Sequence, residues 1–254
     1  MSRSLQGAHV AITGASSGIG EAAARAFAAS GARVYAIARR AERLDALAAE
    51  VPGVEPVVLD VTDRHAVFRF AAGHRCDVAI ANAGVMQLGP FLDMPWEDIE
   101  RQLSVNLAGL IHTLQAFGRP MRERGDGVLM PVSSIVGVQA LPFYSAYCAT
   151  KFGVAGLARS LHMELRGSGV DVVHVLPGAT ATELHGHVDP AHIPPSTRRR
   201  KRVPAEHVAR AMVAAARRPR PVVLCDRPAR ALYFARRVAP WLVDAVIGRA
   251  TRPR

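Results

Sequence analysis

Several things are scarce in this chain of 254 residues, and each scarcity closes a route. Cysteine occurs three times, at Cys76, Cys148 and Cys225, an odd count without metal-type spacing, so neither a disulfide framework nor a zinc site is expected. Aromatic residues make up 6% of the chain and do not interleave with the basic ones, so no base-stacking platform and no specific nucleic-acid partner is expected. No uncharged apolar run reaches the roughly 18 residues that a bilayer-spanning helix needs. The opening residues, Met1 to His9, lack the apolar core of a secretion signal, and the expectation is a soluble, cytoplasmic protein. Glycine (21) and proline (17) are too few for a fibrous repeat, and no internal repeat or low-complexity tract stands out. With 50% hydrophobic residues, the chain can bury one good core and is too short for two ordinary domains.

Lysine is the scarcest charged residue. Of 32 basic residues only Lys151 and Lys201 are lysines, so a lysine that persists against this preference for arginine invites a chemical explanation. The net charge of +11 is also uneven: residues 198–254 carry 16 basic and 3 acidic residues, whereas residues 1–197 carry 16 basic and 18 acidic. The basicity belongs to the C-terminal part alone.

Short apolar runs read as strands at His9 to Thr13, Val34 to Ile37, Val57 to Leu59, Val78 to Ile80, Val128 to Met130 and Val170 to Val175. Helical spacing runs from Ile19 to a stop at Gly31, from Glu42 to Glu50, and over residues 63–73, 96–117, 145–166 and 205–217. Strands apolar on both faces and alternating with helices predict a single-domain α/β fold, a Rossmann-like doubly wound parallel sheet. Residues 1–227 would form the catalytic body, with 182–203 as a substrate lid loop, and 228–254 a basic amphipathic C-terminal extension.

Between the first strand and first helix stands Thr13-Gly14-Ala15-Ser16-Ser17-Gly18-Ile19-Gly20. Gly14 would allow the tight turn, Gly18 the approach of a pyrophosphate, and Gly20 close packing of helix on strand. The helix start would offer free N–H groups and its positive dipole end to the anion, making residues 14, 16–18 and 20 candidate cofactor contacts together with Ile19. The spacing is GxxxGxG, so the mechanism carries over from the GxGxxG fingerprint while the literal motif does not. An acidic residue at the end of the second strand would take the ribose 2′-hydroxyl of NAD. Here Arg39 and Arg40 stand there, which favours the 2′-phosphate of NADP(H) over NAD(H).

Tyr147 and Lys151 lie at i and i+4 of a predicted helix and share one face. An ammonium beside a phenol favours the phenolate, and the lowered pKa would make Tyr147 a usable general acid or base. Ser134, thirteen residues earlier, can donate a hydrogen bond to a carbonyl oxygen. This set suits hydride transfer between a nicotinamide and a ketone or aldehyde. Tyr144 is set aside, because Cys148 rather than a lysine occupies its i+4 position. Cys148 itself reads as a small packing residue, about 100° around the helix from Tyr147.

The whole set resembles the short-chain dehydrogenase/reductase family. The resemblance rests on Thr13-Gly14-x-x-x-Gly18-Ile19-Gly20, Asp60, Asn82-Ala83-Gly84, Asn106, Ser134, Tyr147-x-x-x-Lys151 and Pro177-Gly178 with Thr182, in the family's order from about residue 7 to 183. It implies that Asp60 and Val61 hold an adenine ring, and that Asn82, Ala83 and Gly84 line the cofactor site and brace the strand carrying Thr13. It further implies that Asn106 supports Lys151 through a water, that Lys151 also binds the nicotinamide ribose, and that Pro177, Gly178, Ala179 and Thr182 hold the nicotinamide end. The chain departs from the pattern in two places. Ala81 replaces a second Asn, and Ser17 replaces the basic residue that many NADP-preferring members carry, leaving cofactor choice to Arg39 and Arg40. The family commonly forms dimers or tetramers through the helices holding Asn106 and Tyr147, where Ala149, Gly153, Ala155 and Gly156 would permit close approach.

Substrate would meet Val85 to Leu88, Ile135-Val136, Leu141 to Tyr144 and the 182–203 segment, mostly apolar, so an apolar carbonyl or alcohol is expected. His185, His187 and His192 lack supporting carboxylates or thiols, and no metal is assigned. Phe234, Val238, Trp241, Leu242 and Ala245 form a stripe interrupted by Pro240, with Arg230, Arg236 and Arg237 nearby, which predicts two short helices. The stripe is expected to pack on the body or on a sister subunit; peripheral binding to an anionic membrane is the alternative. A non-catalytic protein on the same fold, sensing nicotinamide redox state or binding nucleic acid non-specifically through the Arg198 to Arg202 cluster, is the competing functional class.

Overall fold

The structure is a computed structural model that describes residues 2–185, 193 and 202–250. Its centre is a parallel sheet in the order β3-β2-β1-β4-β5-β6, formed by β1 (His9–Thr13), β2 (Arg33–Ala38), β3 (Val54–Val58), β4 (Val78–Ala81), β5 (Gly127–Pro131) and β6 (Val170–Val172). The order reverses between β1 and β4, and that switch point opens a crevice at the carboxyl ends of the strands, where ligands bind in sheets of this kind.

Alternation along each strand sorts the apolar side chains onto two faces. Val10, Ile12, Val34, Ala36, Val78, Ile80, Val128 and Met130 pack on one face, against α1 (Gly18–Ala28) and α7 (Ala205–Arg217). Ala11, Ile37, Ala79, Ala81 and Leu129 pack on the other, against α3 (Arg64–Gly73), α5 (Gly109–Arg124) and α6 (Ser145–Glu164). Both faces are covered, as continuous apolar strands require. Phe27 on α1 is fully buried, and truncating a phenylalanine so placed costs about 3–5 kcal/mol.

Several boundaries differ from the sequence reading. β3 begins at Val54 and includes Pro56; as an edge strand it can spare the N–H that proline lacks. The predicted helix over 96–117 runs as α4 (Trp96–Leu103), a π-helical turn (Ser104–Ala108) and α5, continuing through Pro120 until Gly125 stops it at φ +71°. The predicted strand from Val170 to Val175 divides into β6, paired with β5, and β7 (His174–Leu176), paired with β10 (Val222–Leu224). β10 is a strand the sequence reading did not include. The two-residue strands β8 (Thr180–Ala181) and β9 (Val203–Pro204) pair in parallel and pin together the two ends of the 182–203 segment. Most of that segment, with His187, His192 and Arg198 to Lys201, lies outside the described residues.

After α2 (Ala41–Glu50) and the elements above, the chain ends in α8 (Arg227–Val238) and α9 (Pro240–Ala250), with Pro240 at the first position of the last helix, where its missing N–H costs nothing. The predicted stripe does not pack on the body: Phe234, Val238, Trp241, Leu242 and Ala245 are all exposed, as is Val246 beside them. The inner side of α8 is already filled by Ala229, Leu232 and Tyr233, which leaves the stripe on the opposite side. No described helix is long and apolar enough to cross a membrane.

Candidate active site

The first βα turn is built on close backbone approaches. Gly14 has φ +70°, and a Cβ there would sit 2.7 Å from the Cα of Ala83. At Gly20 an added Cβ would lie 2.2 Å from the Gly14 carbonyl oxygen. Asn82 closes the turn: its backbone N–H donates to Thr13 Oγ1 (3.0 Å) and its Nδ2 to the Thr13 carbonyl (3.0 Å). The Ala83 N–H also donates to Thr13 Oγ1 (3.2 Å). Ser17 precedes α1 in extended conformation, and its side chain does not cap the helix, so the first N–H groups of α1 are left to a ligand.

Arg40 leaves the end of β2 and reaches this turn, donating to Ser16 Oγ (3.0 Å) and Ser17 Oγ (2.6 Å). The same guanidinium donates to Glu183 (3.2 Å), which also accepts from Arg43 (2.5 Å). Arg43, then Arg40, hold the Glu183 carboxyl below the usual carboxylate range. Sequence reasoning missed both Arg43 and Glu183, because nothing local relates residues so far apart. Arg39 is mostly exposed and donates to Asp60 at 3.4 Å. Burial works against ionisation of Asp60, but hydrogen bonds from the Thr62 N–H and hydroxyl, with Arg39 nearby, outweigh it and lower the pKa. Val61 is buried, and its carbonyl oxygen lies 2.9 Å from His112 Nδ1.

Asn106 sits in the π-helical turn, fully buried. Its Oδ1 accepts from the Val85 N–H (2.8 Å) while its Nδ2 donates to the Val85 carbonyl (2.9 Å) and to Thr150 Oγ1 (3.3 Å). The loop after β4 is thereby tied to α6. Gly84 lies in the same corner: a Cβ there would come within 3.3 Å of Asn106 Oδ1 and 3.9 Å of Lys151 Nζ.

The consecutive serines after β5 part company. Ser133 is buried and donates to the Lys151 carbonyl (2.8 Å), whereas the half-buried Ser134 accepts from the Val136 N–H (3.3 Å). Tyr147 and Lys151 are both buried. Lys151 Nζ stands over the Tyr147 ring, 5.5 Å from its centroid, and donates to the Val132 carbonyl (3.2 Å). Burial lowers its pKa to about 8. The expectation that Lys151 lowers the phenol pKa is corrected here. Burial, with small additions from Cys148 and Tyr144, pushes Tyr147 upward, because the ammonium faces the ring and a backbone carbonyl.

Around Tyr147 lies an apolar cluster of Met86, Leu88, Ile135, Val136, Tyr144, Cys148, Leu176, Ile193, Ala229 and Tyr233. Tyr144, set aside as the reacting phenol but expected on the substrate side, belongs to it, and its buried hydroxyl has no hydrogen-bond partner among the described residues. Phe143 before it adopts φ +69°, a strained value for a bulky residue, while its carbonyl accepts from the Gly89 N–H (3.0 Å). An orphaned polar atom in a cluster that borders Ser134 is a signal no i+4 rule could find.

At the end of β7 the Gly178 N–H donates to Asp226 (3.0 Å), whose other oxygen caps α8 through the Ala229 N–H (2.7 Å). Thr182 lies against Gly18, about 3.0 Å from where a Cβ would be. Pro177 accepts from the Ile135 N–H (2.9 Å). The carboxyl ends of β1, β4, β5 and β7 therefore share one crevice, with Asn82, Gly84, Asn106 and Lys151 linking the glycine turn to the phenol. Among the described residues no group of three or more His, Cys, Asp or Glu is placed to hold a metal ion.

Comparison with known proteins gives this arrangement relatives. The family profile for short chain dehydrogenase matches residues 8–192. The D-threitol dehydrogenase of Mycolicibacterium smegmatis is 38% identical over 192 residues, covering 72% of this chain and 74% of that protein. A short chain dehydrogenase from Burkholderia cenocepacia in complex with NADP superposes with a TM-score of 0.84 at 26% identity, covering 96% of this chain and 99% of that one. One from Sphingobium yanoikuyae in complex with NADPH gives 0.80 at 32% identity, covering 97% and 96%. The chain belongs to the short-chain dehydrogenase family.

Proposed function

We propose that this protein interconverts an alcohol and a ketone or aldehyde with NADP(H) as hydride partner, on a substrate whose body is apolar. The observation that carries this reading is a buried phenol, with a buried lysine over its ring, inside an apolar cluster at the carboxyl edge of the sheet and linked to the glycine turn. The turn fits a dinucleotide: the space a Cβ would fill at Gly14 and Gly20 is occupied by backbone, and the α1 N-terminus is uncapped by side chains. Gly14, Ser16, Ser17, Gly18, Ile19 and Gly20 would hold the pyrophosphate, and Asp60 and Val61 the adenine. Asn82, Ala83 and Gly84 would line the middle of the cofactor, and Pro177, Gly178 and Thr182 its nicotinamide end. Arg40, with Arg39 at the rim, would meet the 2′-phosphate; the NADP and NADPH bound by two structural neighbours support this preference.

The bound cofactor supplies the hydride, and the protein's side chains handle the proton. In the reducing direction Ser134 donates a hydrogen bond to the carbonyl oxygen and polarises it, while Tyr147 gives that oxygen its proton. Burial keeps the phenol protonated until then, which suits an acid. The phenolate left behind is compensated once the Lys151 ammonium turns from the ring and the Val132 carbonyl toward the phenol oxygen, while Asn106 holds the neighbouring loop through Val85 and Thr150. In the oxidising direction the same groups run in reverse.

Residues 1–227 act as the catalytic body and 228–254 as a basic amphipathic C-terminal extension. The exposed side of α6, with Ala149, Phe152, Gly156 and Met163, offers a flat seam on which copies of the chain would pair into a dimer or tetramer. Gly153 and Ala155 do not contribute to that seam, since Gly153 faces Leu107 of its own chain and Ala155 is buried. A cytoplasmic location agrees with the free cysteines Cys76, Cys148 and Cys225.

The test is a panel of apolar and polar carbonyl compounds assayed by nicotinamide absorbance, with NADPH and then NADH. Faster turnover of apolar compounds with NADPH is expected; uniform preference for the polar carbonyl compounds would reject the apolar reading. Tyr147→Phe should cut turnover by at least about 10³-fold while NADPH still binds; a fully active variant would reject the mechanism.

A further inference from the structure

We propose that the outer face of the C-terminal helical hairpin docks this protein on an anionic lipid surface. On α8, Arg227, Arg230, Phe234 and Val238 follow one another at steps of three and four, so they line one side of the helix, opposite the side that Ala229, Leu232 and Tyr233 bury. On α9, Trp241, Leu242, Ala245, Val246 and Arg249 line one side in the same way, all exposed. A surface helix of a globular protein normally turns its apolar stripe inward; here each helix turns one outward. Five of the large exposed hydrophobic residues fall within residues 234–246, with Val238 at 84% and Trp241 at 72% exposure. Single exposed apolar residues mean little, but several gathered on two successive helices mark an interaction surface.

The hairpin is held rigidly enough to present this face. Asp226 caps α8 and bonds the Gly178 N–H, while Asp244 accepts from Gln139 (3.0 Å) and Arg236 (2.6 Å) and so ties α9 to the body and to α8. Asp244 is then already engaged. Among the described residues no carboxylate forms an ion pair with Arg227, Arg230, Arg237 or Arg249.

Charge chooses the occupant. A second copy of this chain would set the same face against itself, and its arginines Arg227, Arg230 and Arg249, with no ion-paired carboxylate among the described residues, make that contact repulsive. An anionic bilayer reverses the sign: arginines at headgroup depth gain from the surface potential while Phe234, Trp241 and Leu242 enter the acyl boundary. The inner side of α8 walls the cluster around Tyr147, so docking on the outer side sets that cluster one helix away from the lipid. An apolar substrate held in the bilayer would meet the site there, a corollary that rests on the reading of the site above; the docking itself does not.

The full-length protein is tested by co-sedimentation with vesicles of phosphatidylcholine alone and of phosphatidylcholine with phosphatidylglycerol. Binding should be roughly tenfold or more stronger to the anionic vesicles and should fall at high salt. In a Trp96→Phe background, Trp241 emission should shift to the blue on binding. Two exposed-face variants, Phe234→Ser/Val238→Ser/Trp241→Ser and Arg227→Gln/Arg230→Gln/Arg249→Gln, should each lose binding while NADPH affinity and thermal melting hold. Equal binding to both vesicle types, or none to either, would overturn the proposal. So would a wild-type dimer that the apolar variant converts to monomer with no vesicle binding, which would assign the face to a second copy.

Discussion

The two ends of the chain both bring positive charge to the molecular surface, and they do so by opposite means. At the amino-terminal turn the charge is largely backbone: uncapped N–H groups at the start of α1, with one guanidinium, Arg40, held by two serine hydroxyls. Its geometry is closed by contacts too tight for a methyl group. At the carboxy-terminal hairpin the charge sits on long arginine side chains spread along two helix faces, with open space around them. The first arrangement can meet one anion in one pose; the second can meet many anions in none in particular. A discrete ligand and an extended surface ask for those two designs respectively.

The contrast can be broken most forcefully at its glycines. Gly20→Ala should cost about 3 kcal/mol or more and abolish NADPH binding, because the new Cβ would meet the Gly14 carbonyl at 2.2 Å. Melting curves with and without NADPH measure it, and an unchanged protein would show that the turn is not closed. The carboxyl half should also be the acid-sensitive one. His174 on β7, buried with Nε2 unpartnered among the described residues, has its pKa lowered to about 4 by burial, then by Arg159 and Lys151. The unfolded chain therefore binds more protons between about pH 6.5 and 4, so this group's contribution is present above that window and is lost as pH falls through it, by about 3 kcal/mol at most. Denaturant titrations across those pH values should show a slope that His174→Gln flattens.

Next in size, Arg40→Ala should weaken NADPH roughly 10- to 100-fold and leave NADH nearly untouched, the loss of one charge-assisted contact; equal losses for both cofactors would move the 2′-phosphate elsewhere. With NADPH, carbonyl reduction should hold below pH 8 and decline above it, since Lys151 sheds its proton near that value. A rate flat to pH 10 would detach the lysine from the step. Smallest of all, Gly248→Ala in α9 should stabilise that helix by up to about 1 kcal/mol, seen as slower hydrogen exchange in α9, because alanine is the better helix former and no described residue lies within 4 Å of the added Cβ. A destabilised hairpin there would contradict the open surroundings that distinguish it from Gly20.

What could be read from the residues alone was whatever depends on local period and local backbone need. The strands around Val10, Val34, Val78 and Val128, the helix over Ala205–Arg217 and the break at Pro240 all follow from neighbours in sequence. What could not be read depends on partners distant in sequence. The π-helical turn exists where Asn106 meets Val85 and Thr150; Glu183 matters through Arg40 and Arg43; β10 is a strand only because β7 lies beside it. Tyr144, set aside as the reacting phenol and expected on the substrate side, does enter the apolar cluster around Tyr147, but its lack of a hydroxyl partner among the described residues could not be read from spacing. The phenol shift was misjudged for a related reason, since spacing places Lys151 near Tyr147 but leaves open whether its ammonium faces the hydroxyl or the ring.

The paired serines carry one more lesson. Adjacent side chains leaving an extended segment point to opposite sides, so Ser133 fastens the helix that carries the lysine while Ser134, the proposed donor to the substrate oxygen, stands on the other side and accepts only from the Val136 N–H among the described residues. Sliding that segment by a single position would exchange their duties, anchoring the donor and freeing the anchor. Alignment of the β-strands is thus itself a part of the chemistry, fixed far below the crevice by Val128 opposite Val78 and Gly127 opposite Val170.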